Sequence, residues 1–116
     1  MAEIHVYFPQ SGSPIVMGDP VPVLKNEHIF WCIHNSNESV KKVEISFDQG
    51  AKFFPTSAGD KSTMSKEMSA RQCIWGKSPH PLGSGQKRDK YTVKGLDALG
   101  QGVGAELDPV IISDDP

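Results

Sequence analysis

Two cysteines and two of the four histidines in this chain have the types and spacing of metal ligands. Cys32 and His34 are two positions apart, so they point to the same face if this segment is a strand. Cys73 and His80 lie together in a later segment. Thiolate and imidazole groups bind zinc, but these spacings differ from those of the common zinc modules. Cys32, His34, Cys73 and His80 are therefore an alternative metal-binding set, beside the simpler reading of ordinary strand residues.

The same two cysteines raise the question of a disulfide. Cys32 follows Trp31 and Cys73 lies near Trp75, which invites comparison with the intersheet disulfide of immunoglobulin domains, on which a tryptophan packs. Such a bond needs an oxidising compartment. The N-terminal residues lack the basic start and the uninterrupted apolar block of a secretory signal. We therefore expect two reduced, buried thiols.

The segment from position 75 to position 90 combines an aromatic side chain with several cationic ones. An indole supplies apolar contact, while ammonium and guanidinium groups bind polar or anionic ligands. The alternative is a solvated loop whose lysines only maintain solubility. The candidate ligand-binding residues are Trp75, Lys77, His80, Lys87 and Arg88.

Motifs of the common enzyme classes are missing or incomplete. The glycines in residues 83–87 lack the spacing of a phosphate-binding loop, and those in residues 100–104 are followed by Pro109 rather than by a helix. No G-x-S-x-G motif occurs. We expect a binding or interaction module rather than an enzyme, and no cofactor.

The elements that must position these residues are short strands with alternating apolar residues. Eleven glycines and nine prolines separate them, and no long helical pattern lies between. Met64 and Met68, four apart after a possible cap at Ser62, are the one helical hint. The clearest alternations are Ile4, Val6 and Phe8, then Ile29, Trp31 and Ile33, then Val43, Ile45 and Phe47.

Two further segments complete the predicted architecture. Residues 15–24 contain Pro20 and Pro22, which favour an irregular strand at a sheet edge. Residues 90–93 and 107–112 are expected to be neighbours in an antiparallel sheet, because a glycine-rich loop joins them without a helix. The whole pattern predicts an all-β fold, a two-layer β-sandwich.

The order of these segments over residues 20–113 resembles the cupredoxins, the Greek-key β-sandwiches that house blue copper. The resemblance implies a Greek-key sandwich with two histidines and one cysteine around the metal. In this chain Lys41 falls where that family has its first histidine, and Val93, two residues after Tyr91, replaces the cysteine. Residues 94–104 contain no histidine, cysteine or methionine. We therefore expect a cupredoxin-like domain without the type 1 copper site.

Length and charge restrict the remaining possibilities. A chain of 116 residues is the usual size of one domain, predicted here as residues 1–116. The formal charge of -2 offers no broad positive field for nucleic acid or an anionic membrane, and no apolar run is long enough to span one. The expected partner is a protein or a small polar ligand, with homo-oligomer formation through an edge strand as a further option. A cytoplasmic location is expected, while a periplasmic or secreted one stays open if a leader was removed.

Overall fold

The computed structural model describes residues 1–68 and 71–116, and the regular secondary structure of these residues is β-strand throughout. No helix within them is long and apolar enough to cross a membrane. The strands are Ala2–Phe8 (β1), Ile15–Val16 (β2), Val21–Leu24 (β3), His28–Asn35 (β4), Lys42–Phe47 (β5), Phe54–Thr56 (β6), Gly59–Lys61 (β7), Thr63–Glu67 (β8), Arg71–Lys77 (β9), Lys87–Leu96 (β10), Gly102–Leu107 (β11) and Val110–Asp114 (β12).

Most of these strands belong to two sheets. The first has the order β2-β1-β4-β9, and the second has the order β3-β12-β10-β5-β8, with β11 paired to β10. Neighbours are antiparallel except for two pairs, β1 with β4 and β3 with β12, which run parallel. A short hairpin of β6 and β7 lies outside both sheets. The chain passes between the two sheets several times as it goes from β3 to β12.

The two sheets share one hydrophobic core. Each main strand turns alternate apolar side chains inward, as the period of two requires. Trp31 of the first sheet contacts Phe47 and Tyr91 of the second, with ring centroids 6.2 Å and 5.9 Å away in edge-to-face geometry. The all-β prediction is confirmed, and the arrangement is consistent with a β-sandwich. The alternations predicted for the segments that form β1, β4 and β5 all lie in this core.

The helical hint near Met64 is wrong. Thr63–Glu67 forms β8, which pairs antiparallel with β5 and sets Met64 opposite Ile45. A spacing of four fits one face of a helix, but four is also an even number and therefore fits one face of a strand. Met64 and Met68 are both partly buried against the core.

The predicted edge strand over residues 15–24 is split into two edges. β2 pairs with β1 at one border of the first sheet, and β3 pairs with β12 at a border of the second. The predicted proximity of residues 90–93 and 107–112 is confirmed, because Lys90 is opposite Val110 and Val93 is opposite Leu107.

The loop between β9 and β10 is fixed by a buried lysine. Lys25 is only 2 % exposed, and its ammonium donates to the carbonyl oxygens of Pro81 and Gly85 and to Ser84 Oγ. Asp115 lies 3.1 Å from the same Nζ and accepts the N–H groups of residues 83 and 85. The Gly83 N–H and then the Lys25 ammonium lower the pKa of Asp115. Contacts from Lys25 and Asp115 therefore fix the position of this loop.

Candidate functional site

The outward face of the first sheet carries aromatic and apolar side chains where an alternating strand normally presents polar ones to water. Tyr7, Ile15, Met17 and Trp75 are all exposed large hydrophobic residues, with Met17 at 57 % and Trp75 at 43 %. The strand registers place them in two groups on this face, because Ile15 is opposite Tyr7 at one end and Trp75 is opposite Phe30 toward the other. We call this surface the aromatic face; it consists of Tyr7, Ile15, Met17, Phe30, Trp75, His5, His28 and His34.

Stacked rings organise the aromatic face. The ring of His34 stacks on that of Tyr7 at a centroid separation of 4.6 Å, and it meets the ring of His5 edge to edge at 5.2 Å, with nearly parallel planes in both pairs. His5 Nδ1 and His34 Nε2 are 2.9 Å apart and share a hydrogen bond. At the other end of the face, His28 packs on Trp75 at 5.3 Å. These contacts hold the rings in defined positions.

A carboxylate, an imidazole and a thiol converge on this same face. Glu3, His5 and Cys32 each offer one ligand atom, and the three atoms lie within 4.8 Å of one another. The parallel pairing of β1 with β4 produces the cluster, because it sets His5 beside Cys32. Glu3 is two positions earlier on β1, and its Oε1 is 3.4 Å from His5 Nε2.

Three of the four predicted metal ligands lie on one face of the first sheet, and the fourth, His80, does not. Cys32 and His34 share the outward face of β4, and Cys73 on β9 is directly opposite Cys32. His80 instead binds Asp89 of the second sheet, with Nε2 2.7 Å from the carboxylate, and its ring meets Phe53 edge to face. Both cysteines are thiols, but Cys73 is exposed, so the expectation that both would be buried is wrong for that residue.

The five predicted ligand-binding residues occupy separate parts of the molecule. Trp75 and Lys77 alternate on the outward side of β9, beside the aromatic face. His80 turns toward Asp89, a buried residue of β10. Arg88 precedes that inward-facing residue and is exposed on the opposite side of the second sheet, while Lys87 is partly buried. Of the five, only Trp75 belongs to the aromatic face, and Lys77 lies beside it.

Comparison with known proteins adds no relative. No protein-family model matches the chain, and no curated protein matches it with significance.

Sequence reasoning passed over Glu3, Tyr7 and Lys25. The first two alternate with the buried residues of β1, which indicated a wetter face but not what lies beside it. Their chemistry depends on β4 being the adjacent strand, and no local pattern contains that information. Lys25 follows a short strand in a polar turn, where a lysine is normally solvated.

Proposed function

We propose that residues 1–116 form one cupredoxin-like Greek-key sandwich without a type 1 copper site. Two side chains support this proposal. Val93 is completely buried in the core opposite Ile45, and an aliphatic side chain cannot coordinate copper. Lys41 is exposed, and its backbone N–H binds the carbonyl of Leu96. The repeated passage of the chain between two sheets also agrees with Greek-key connectivity.

We further propose that the protein is a binding module whose binding surface is the aromatic face. The observation that carries the proposal is the group of large apolar side chains left in water there, at Tyr7, Ile15, Met17 and Trp75. Contiguous exposed apolar patches mark interaction sites on folded proteins, and tyrosine, tryptophan and methionine are enriched at the centres of interfaces. The stacked histidine and tyrosine rings are already ordered, so binding would cost little side-chain entropy.

The partner that we propose is a second copy of the chain. The charged side chains described beside the aromatic face are of both signs, Glu3 on β1 and Lys77 on β9. Opposite charges of the two copies can therefore lie side by side, and the net charge of the chain is only -2. Twofold pairing of one patch with its copy is also the commonest form of self-association.

Substitution of Trp75 tests this proposal. We expect the wild-type chain to show a reversible monomer–dimer equilibrium in sedimentation experiments. Trp75→Lys should weaken it about 30-fold, because an aromatic side chain buried in an interface contributes about 2 kcal/mol and a lysine in its place would bring a charge that must lose its water. Tyr7→Lys should act in the same direction.

The matched control is Leu99→Lys, which replaces an 83 % exposed apolar residue in the turn after β10. This variant should associate like the wild type. A wild-type chain that stays monomeric at the highest soluble concentration would exclude self-association, and equal weakening by Leu99→Lys would exclude the aromatic face as the interface. Circular dichroism spectra should be unchanged in all three variants.

A further inference from the structure

The cluster of Glu3, His5 and Cys32 has the composition and the geometry of a metal site. A carboxylate oxygen, an imidazole nitrogen and a thiolate sulfur are all zinc ligands, and three protein ligands with one open position are typical of solvent-accessible zinc centres. Bond lengths of about 2.0 to 2.3 Å imply ligand atoms about 3.3 to 3.8 Å apart around a tetrahedral ion. The 3.4 Å separation of Glu3 Oε1 and His5 Nε2 is already in this range, and all three ligand atoms lie within 4.8 Å.

We propose that Glu3, His5 and Cys32 bind one zinc-type divalent ion, with water in the fourth position. Their burial suits such a site. Cys32 is 8 % exposed, whereas the side chains of His5 and Glu3 are 33 % and 50 % exposed. The thiolate would therefore be shielded by the sheet, while the ion could enter from solvent through the carboxylate side. This assignment departs from the expectation of no cofactor.

His34 is a positioning residue for this site. Metal binding at His5 Nε2, the nitrogen beside Glu3, requires the ring proton to be on Nδ1, and Nδ1–H can then donate to His34 Nε2 across 2.9 Å. A ligating histidine commonly donates its other ring N–H in this way, and the contact fixes both tautomer and ring orientation. Tyr7 stacks on the face of the His34 ring at 4.6 Å and holds that ring in place.

The proposed site shares one ligand with the set predicted from sequence. Cys32 is common to both, and His34 changes from ligand to positioning residue. Cys73 is the cross-strand neighbour of Cys32 and is not part of the three-ligand group, and His80 is bound to Asp89. These two residues therefore provide matched controls, one thiol and one imidazole.

Cobalt(II) titration of the reduced full-length chain tests the proposal, because cobalt replaces zinc and reports its ligands. We expect one equivalent to produce a near-ultraviolet thiolate-to-cobalt band and intense visible bands of a four-coordinate ion, both abolished by added zinc. Cys32→Ser should remove the thiolate band. His5→Ala and Glu3→Gln should weaken cobalt binding at least tenfold, whereas Cys73→Ser and His80→Gln should leave it unchanged.

The role of His34 has a separate readout. His34→Phe should weaken cobalt binding about 10- to 100-fold while keeping the thiolate band at saturation, because the ligands themselves remain. His34→Gln, which retains an acceptor for His5 Nδ1–H, should recover part of the affinity. Loss of the band itself in His34→Phe would instead make His34 a ligand and overturn its positioning role.

Two measurements keep the test decisive if a variant folds poorly. Zinc should raise the melting temperature of the wild-type chain, and it should shift the ring proton resonances of His5 more than those of His28. The same results are expected in the Trp75→Lys background, so the outcome does not depend on self-association. A wild-type chain without a thiolate band, or a band that survives in Cys32→Ser and disappears in Cys73→Ser, would overturn the proposal.

Discussion

Tyr91 is a core residue with a polar atom that the core does not satisfy. It is completely buried, and its hydroxyl has no hydrogen-bond partner among the described residues. Its ring packs against Trp31 and Phe47, so the aromatic part contributes most of its stabilising effect. A buried hydroxyl without a partner costs free energy because it has lost its bonds to water.

Tyr91→Phe separates the two parts of this side chain. We expect the variant to be as stable as the wild type or more stable by about 1 kcal/mol in urea unfolding, because only the unpartnered hydroxyl is removed. Tyr91→Ala should lose about 3 to 5 kcal/mol, since the ring is removed as well. A loss above about 1 kcal/mol in Tyr91→Phe would show that the hydroxyl makes a stabilising bond.

The same residue should make the fold sensitive to alkali. Burial raises the pKa of Tyr91 above its ordinary value of 10.0; the polar N–H of Trp31 beside the hydroxyl opposes this rise, and the negative charge of Asp19 adds to it. The folded state therefore holds the phenolic proton more tightly than the unfolded state does. This contribution is fully present below pH 10 and is lost as the pH rises from there toward the higher folded value.

We accordingly expect the stability of the wild type, relative to Tyr91→Phe, to fall as the pH rises above 10. Urea unfolding of both proteins at several alkaline pH values measures the difference, and the other titrating groups cancel in the comparison. Parallel pH profiles for the two proteins would contradict the assignment.

Among the elements, the loop over residues 81–85 depends on one side chain from elsewhere in the chain. The Lys25 ammonium holds this loop and the carboxylate of Asp115 together, as described above. Removing the ammonium deprives these acceptors of their charged donor, and hydrogen bonds to charged groups are the stronger ones.

Lys25→Met keeps the length of the side chain and removes its donors. We expect the free energy of unfolding to fall by about 2 kcal/mol or more, with faster amide exchange at Gly83 and Gly85. Lys52→Met, at an exposed position, should change stability by less than about 0.5 kcal/mol. Equal stability of the two variants would mean that the loop does not need the ammonium.

The alternation of apolar residues predicted a strand correctly where one face of that strand is buried along its whole length. β5 shows this, because Val43, Ile45 and Phe47 alternate without interruption and all lie in the core. The pattern failed at β8, because the spacing of Met64 and Met68 fits one face of a helix as well as one face of a strand. It could not have found the role of Lys25, since that burial arises only when the loop and Asp115 arrive from distant parts of the chain.

The candidate metal site shows the same limit for function. Cys32 and His34 were recognisable from their types and spacing on one predicted strand. Their partners Glu3 and His5 come from β1, and its parallel pairing with β4 is a non-local contact that alternation does not encode. The sequence thus identified one strand of the face and grouped it with His80, which in the structure contacts Asp89 of the second sheet.

For the whole molecule, the parallel pair of β3 and β12 has a consequence for the folding rate. It joins Val21 to Ile111, nearly the full length of the chain apart. Closing so long a loop costs chain entropy before the contacts between the two strands can compensate for it. We therefore expect refolding in milliseconds to seconds rather than microseconds. Stopped-flow tryptophan fluorescence after dilution from urea measures this rate.

The pairing of β3 with β12 should also be the last part of the sandwich to form. Ile111→Val should then speed unfolding and leave the refolding rate nearly unchanged, because the contact is absent from the transition state. Until β3 pairs with β12, a polypeptide that is still being synthesised exposes the edge of its second sheet. Incorrect pairing between neighbouring chains would begin at this exposed edge.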